Sequence, residues 1–266
     1  MPRQLDYDDG ALWQPIVNAP AIFTFLDFDG TLVEIAPTPA EVRLSEARRR
    51  RLKELIALRQ CSVGIVSGRT VDELRRLIGL EPIFYVGCHG LEWAAPDGTR
   101  CRARPNRGLV DALRALREKM RREMARLDGV VLEDKGMALA LHYRRAEPHA
   151  ALAAHTAFFR AVHGYRERGV KLELLAGKAV IEAKPAGTTK GDAIMQILAR
   201  YAPAALPIYL GDDITDESAF CSIGEKGLAM LVAQAPRATA ATHFVKNPSE
   251  VYGFLRCLIS RRESAA

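Results

Sequence analysis

The sequence predicts an α/β core built on a parallel sheet and interrupted by an α+β insertion. Three observations carry this. Apolar, β-rich runs alternate with amphipathic helical patterns over the first third of the chain. The middle third changes to helix, hairpin, helix, hairpin. The last third returns to strand–helix alternation. Strands that alternate with helices pair in parallel, with the helices on the sheet faces.

The elements follow in order. Ala21 to Asp27 reads as a buried strand that ends in acidic residues and Gly30. Ser45 N-caps a helix to Leu58. Cys61 to Val66 is a second strand, closed by Ser67-Gly68. Val71 to Ile78 is helical and stops at Gly79, and Ile83 to Val86 is a third strand. In the middle, helices are expected at about Gly108–Leu127 and Pro148–His163. Strands are expected at Val130–Glu133, Ala138–Tyr143, Lys171–Leu175 and Ala179–Ala183, with Ala176-Gly177 as a hairpin turn. Lys190 to Tyr201 is then a helix and Pro207 to Leu210 a strand. An acidic loop follows, then a short helix, and Gly227–Val232 and His243–Val245 are the final strands. The first twenty residues match no pattern, and Trp13 and Ile16 are expected to pack on the domain surface.

Composition excludes several classes. At 266 residues, 48% hydrophobic and 26% charged, the chain carries too much apolar material for disorder. No run of about 18 apolar residues occurs, so no spanning helix and no membrane partner are expected. Asp6, Asp8 and Asp9 replace the apolar stretch of a secretory signal. The net charge is +6. Its basic residues are spread out, and the densest run, Arg48 to Arg51, lies on a helix whose solvated face it forms. No nucleic-acid partner is expected, and a small anionic substrate suits the balance equally well. The five cysteines are odd in number and form no CxxC pair. They read as reduced, mostly buried thiols of a cytoplasmic protein.

Two acidic clusters sit where predicted strands end, which is where ligands bind in such sheets. In Asp27-Phe28-Asp29-Gly30-Thr31, two carboxylates lie two residues apart. One reading is an Asp-rich turn; the other is a nucleophile beside an acid/base group. In Gly211-Asp212-Asp213-Ile214-Thr215-Asp216-Glu217, four carboxylates fall within six residues. Helix starts favour acids, which accounts for Asp216 and Glu217. Asp212 and Asp213 are better explained as hard ligands for Mg²⁺. Ser67-Gly68-Arg69 can hold phosphate oxygens. Lys190 opens a helix, where an anion meets both a cation and the helix N-terminus.

Taken in order, Asp27-x-Asp29-Gly30-Thr31, Ser67, Lys190 and Gly211-Asp212-Asp213 resemble the four motifs of the haloacid dehalogenase phosphatase superfamily. The stretches FLDFDGTL (25–32), VSGR (66–69), HGLE (89–92) and GDDITDE (211–217) narrow the resemblance to trehalose-6-phosphate phosphatases. LEDKGMALALHYR (132–144) and GKAVIEAKP (177–185) do the same in the insertion. The resemblance covers about residues 22–255, although 146–168 carries no signature.

The resemblance implies a Rossmann-like catalytic core of the haloacid dehalogenase type over residues 1–105 and 186–266. It implies an α+β cap over 106–185. Asp27 would attack phosphorus. Asp29 would protonate the leaving oxygen and then activate water. Ser67 and Lys190 would hold phosphoryl oxygens. Mg²⁺ would bind Asp27, Asp212 and the Asp29 carbonyl, with Asp213 and Asp216 as ligands or just behind them. Thr31 and Arg69 would join the substrate contacts, and Glu133, Lys135, Arg144, Lys178 and Glu182 would read the sugar. Lys178 and Glu182, four apart, share a strand face. His142, inside an apolar strand, reads as a buried structural histidine, and His89 and Glu92 are further candidates. The implied substrate is trehalose 6-phosphate, with a trehalose-phosphate synthase as pathway partner. Alternatives within the superfamily are a sucrose-phosphate or glycosyl-phosphate phosphatase and a sugar phosphomutase.

Overall fold

The computed structural model describes residues 1–38, 41–177 and 179–265. The strands are β1 (Arg3–Gln4), β2 (Ile22–Asp27), β3 (Cys61–Val66), β4 (Phe84–Gly87), β5 (Glu92–Ala94), β6 (Arg100–Arg102), β7 (Val131–Asp134), β8 (Leu139–His142), β9 (Leu172–Gly177), β10 (Val180–Pro185), β11 (Leu206–Gly211), β12 (Leu228–Val232) and β13 (His243–Val245). The helices are α1 (Gly10–Asn18), α2 (Glu46–Ala57), α3 (Val71–Ile78), α4 (Arg107–Met124), α5 (Pro148–Glu167), α6 (Lys190–Tyr201), α7 (Glu217–Ile223) and α8 (Pro248–Ala265). The chain forms two compact units. One comprises Met1–Ala36, Val42–Cys101 and Thr189–Ala266; the other comprises Pro37–Glu41 and Arg102–Thr188.

The first unit is the Rossmann-like core. Its sheet runs β1-β13-β12-β11-β2-β3-β4-β5-β6. Pairing is parallel from β1 to β4 and antiparallel between β4 and β5. Strand alternation sorts the apolar residues onto two faces. Ile22, Leu26, Ile208 and Leu210 share one core cluster with residues of α1, α2, α3 and α8. Phe23, Phe25 and Tyr209 share the other with α6 and α7. Asp27 continues the Phe23–Phe25 face, so its carboxylate belongs on the α6–α7 side.

The second unit carries a four-stranded antiparallel sheet, β7-β8-β10-β9. Leu139, Leu141, Ile181 and Ala183 pack with α4 and α5 residues in a separate core. Their alternates face the other way. Glu133 pairs in register with Ala140, and Ala140 with Glu182, so these three form one row across the sheet.

Several expectations are corrected. Ala176 and Gly177 lie inside β9, paired with Ile181 and Val180, so they are strand residues and not the turn. Trp13 and Ile16 are core residues at 2% exposure. Trp13 stacks on Phe254 at 5.4 Å, joining α1 to the C-terminal α8. A nine-residue α1 lacks periodicity that could announce it, and Pro15 lies inside it. The basic run of α2 is not wholly solvated: Arg48 is half-buried, pairs with Glu34 and lies over the Tyr252 ring. Of the five cysteines only Cys88 is buried, while Cys101 and Cys221 are exposed. Among the described residues, no helix is long and apolar enough to cross a membrane.

Candidate active site

The site residues of the core stand at the carboxyl ends of neighbouring parallel strands. β2 ends with Asp27, which pairs with Val66 of β3. Ser67 follows directly. β11 ends with Gly211, and Asp212 follows. After Asp27 the chain turns back on itself, with the Gly30 amide donating to Val33 O at 2.8 Å. Lys190 begins α6, capped by Thr189 and Asp192 in a reciprocal capping box. Its helix lies so close to α7 that a Cβ on Gly191 would stand 2.3 Å from Ser218 O. That closeness carries the lysine into the site.

Lys190 Nζ donates to Asp27 Oδ1 at 2.7 Å and to Asp216 Oδ1 at 2.6 Å. The Tyr209 hydroxyl donates to the same Asp216 oxygen at 2.5 Å. The Asp213 amide donates to Asp216 Oδ2 at 2.9 Å. Asp27, Asp212, Asp216 and Lys190 are all buried. Burial is the largest cause that pushes the Asp27 pKa well up. Lys190 opposes it, while the charges of Asp216 and Asp212 add to it. Burial alone disfavours the Lys190 cation, but Asp216 and Asp27 outweigh it and raise its pKa.

Lys190 thus bridges two of three carboxylates that crowd together here. The carboxylate oxygens of Asp27, Asp212 and Asp216 lie within 4.8 Å of one another. A close set of hard oxygens fits Mg²⁺. The backbone makes room for it. A Cβ on Gly30, whose φ is +91°, would stand 2.2 Å from Asp212 Oδ2. A Cβ on Gly211 would stand 2.4 Å from Asp216 Cγ. Both glycines therefore let a carboxylate lie flat against the main chain.

Other expected residues take different places. Arg69 grips Asp29: Nε donates to Oδ2 and Nη2 to Oδ1, each at 2.7 Å. Its planar fork matches a carboxylate, which explains why this pair forms. Ser67 Oγ accepts from the Arg69 amide at 3.1 Å. Thr31 is fully buried, and its hydroxyl has no hydrogen-bond partner among the described residues. Asp216, with no exposed surface, sits with Asp27 and Asp212 in the carboxylate cluster. Asp213 is half-buried beside it. Glu92 accepts from the Val71 amide at 2.8 Å and so serves the start of α3.

In the second unit, Glu133, His142 and Glu182 project from the sheet face opposite α4 and α5. Lys135 Nζ donates to Glu182 Oε2 at 2.5 Å, and both side chains are nearly buried. His142 Nε2 lies 2.7 Å from Glu133 Oε2. The histidine is half-buried on this face and not in the apolar core, which corrects the reading of it as a buried structural residue. Burial pushes the Glu133 pKa up, but the His142 hydrogen bond and the Lys135 charge outweigh it and leave it lowered. Arg144 is exposed in the turn after β8. Lys178 lies outside the described residues.

Two neighbours of the site carried no motif. Tyr209 lies mid-strand in β11, and only its partnership with Asp216 marks it. Arg237 Nη2 donates to Asp212 O at 3.4 Å from a loop with no sequence signal.

A trehalose-phosphatase family profile matches residues 25–249. A trehalose-phosphate phosphatase of Mycobacterium marinum is 35% identical over 253 residues, 92% of this chain and 63% of the relative. The chain thus spans less than two thirds of that relative's length. The C-terminal domain of a C. albicans trehalose-6-phosphate phosphatase superposes with a TM-score of 0.86 at 22% identity, covering 98% of both chains. The C-terminal domain of a Candida albicans trehalose synthase regulatory protein gives 0.77 at 12% identity, covering 97% of this chain and 99% of that one. These two likenesses show the fold alone, and function must be argued from the site. With its acidic strand ends inside the matched span, the chain belongs to the trehalose-phosphatase family.

Proposed function

We propose that the chain hydrolyses trehalose 6-phosphate to trehalose and inorganic phosphate through an aspartyl-phosphate intermediate. The observation that supports this most is the buried Asp27 carboxylate, held by Lys190 at 2.7 Å among Asp212 and Asp216. In this reading one Asp27 oxygen attacks phosphorus while the P–O bond to the sugar breaks. Asp29 gives its proton to the leaving sugar oxygen. A water oxygen then attacks the phospho-aspartate, its proton passes to Asp29, and the Asp27–phosphorus bond breaks. The same group thus serves as acid and then base. Lys190 and Ser67 orient the phosphoryl oxygens. Asp27, Asp212, Asp216 and the Asp29 carbonyl would hold Mg²⁺, which when bound neutralises phosphoryl charge.

Residues 106–185 serve as the specificity unit in this reading. Glu133, Lys135, Arg144 and Glu182, with Lys178, hydrogen-bond sugar hydroxyls, which need charged groups of firm geometry.

The test is phosphate release from a panel of sugar phosphates, with Mg²⁺ and with chelator, for the wild type and Asp27→Asn. The reading expects a strong preference for trehalose 6-phosphate, abolished by chelator and by the substitution. Equal rates across the panel would overturn the substrate. Isomerised sugar phosphate in place of free phosphate would overturn hydrolysis.

A further inference from the structure

The inserted sheet carries a histidine that the proposed chemistry leaves without a role. His142 pairs in register with Val131 on one side and Val180 on the other, so its own row gives it aliphatic neighbours. Its ring instead reaches diagonally to Glu133, a cross-strand distance that long side chains span. The Nε2–Oε2 separation is 2.7 Å. Both side chains remain partly open, at 22% and 28% exposure, so a ligand can reach them. They lie in line with Glu182, since Glu133, Ala140 and Glu182 form one row.

We propose that His142 is a positioning residue for Glu133, fixing its carboxylate to accept a hydrogen bond from a sugar hydroxyl. This rests on the proposed trehalose 6-phosphate activity. The direction of the hydrogen bond follows from charge. Glu133, its pKa lowered, is ionised at neutral pH and can only accept. His142 Nε2 therefore carries the hydrogen and donates. A carboxylate held at one oxygen loses its rotation, and the other oxygen is presented in one direction. Glu182 is held in the same manner by Lys135, two residues beyond Glu133. Two oriented carboxylates on one face recognise a pair of hydroxyls, the chemistry a neutral sugar offers.

The test compares trehalose 6-phosphate with p-nitrophenyl phosphate, which has no sugar, using the full-length chain with Mg²⁺. For His142→Ala, KM for trehalose 6-phosphate should rise about tenfold, the loss of one hydrogen bond to a charged group. Its kcat and the p-nitrophenyl phosphate kinetics should stay within twofold. His142→Gln, whose amide can replace the Nε2 donor, should recover most of the loss. In a Glu133→Ala background, His142→Ala should add nothing. An unchanged KM, equal losses on both substrates, no recovery with Gln, or multiplying effects in the double variant would each overturn the role. A wild type that shows no preference for trehalose 6-phosphate would overturn the proposed function itself, before any substitution is made.

Discussion

Arg69 and Asp29 form a two-pronged ion pair, with both guanidinium–carboxylate hydrogen bonds at 2.7 Å. The arginine side chain is 11% exposed and the aspartate 33%, so the pair lies at the mouth of the site. Arg69 also lies over the Phe28 ring at 5.7 Å, which fixes the guanidinium plane. Arg69→Ala should cut kcat for phosphate release by about tenfold or more through misorienting Asp29. Arg69→Lys keeps the charge but not the fork and should fall between. Steady-state kinetics decide this, and an unchanged kcat in Arg69→Ala would refute it.

The crowded Asp27 cluster makes stability depend on pH and cation together. Burial and two neighbouring carboxylates raise the Asp27 pKa. A carboxyl raised in the folded state contributes stability below its ordinary value, and that contribution disappears as pH rises through the raised one. In chelator at neutral pH, Asp27→Asn should therefore unfold at a higher temperature than wild type. The difference should vanish below about pH 4, where both are neutral. Mg²⁺ should stabilise the wild type at neutral pH and do little for Asp212→Asn. Thermal unfolding of the three proteins across pH tests this, and a wild type indifferent to Mg²⁺ would count against the cation site.

Ala140 stands between two glutamates. β8 runs between β7 and β10, and Ala140 pairs in register with Glu133 on one side and Glu182 on the other. It is fully buried, so nothing larger than its methyl group fits without a shift. Ala140→Val adds bulk between the two carboxylates and should lower kcat/KM for trehalose 6-phosphate several-fold, leaving p-nitrophenyl phosphate unaffected. Ala140→Gly should leave selectivity intact. Equal selectivity in all three proteins would remove the steric argument.

Trp13 ties the chain's N-terminal helix to its C-terminal one. Beyond its Phe254 stack, it underlies the Arg261 guanidinium at 4.9 Å. Trp13→Ala should destabilise the core unit by about 3–5 kcal/mol, as large core truncations do. Urea unfolding followed by a core-unit probe measures this. A loss under about 1 kcal/mol would mean the site collapses around the deletion.

Strand ends and helix caps were legible because their signals are local. The run from Ala21 to Asp27 stops in carboxylates and Gly30, and Ser45 caps the next helix, its hydroxyl accepting from the Arg48 amide. Short elements without periodicity were not legible. The β5–β6 segment has three-residue strands, and α1 has a proline in its middle. Their place is set by what they pack on.

The sequence by itself therefore determined the α/β class, the strand ends that carry chemistry, and the residue types gathered there. Alternation with period two and turn-forming glycines are properties of neighbouring residues, so they survive without a fold. Tertiary structure decided the partnerships. Arg69 meets Asp29 across 40 residues, Lys190 meets Asp27 across 163, and His142 meets Glu133 through strand register. Each contact depends on which strands lie side by side and at what offset. That is set by packing the whole sheet, and no short stretch of sequence contains it.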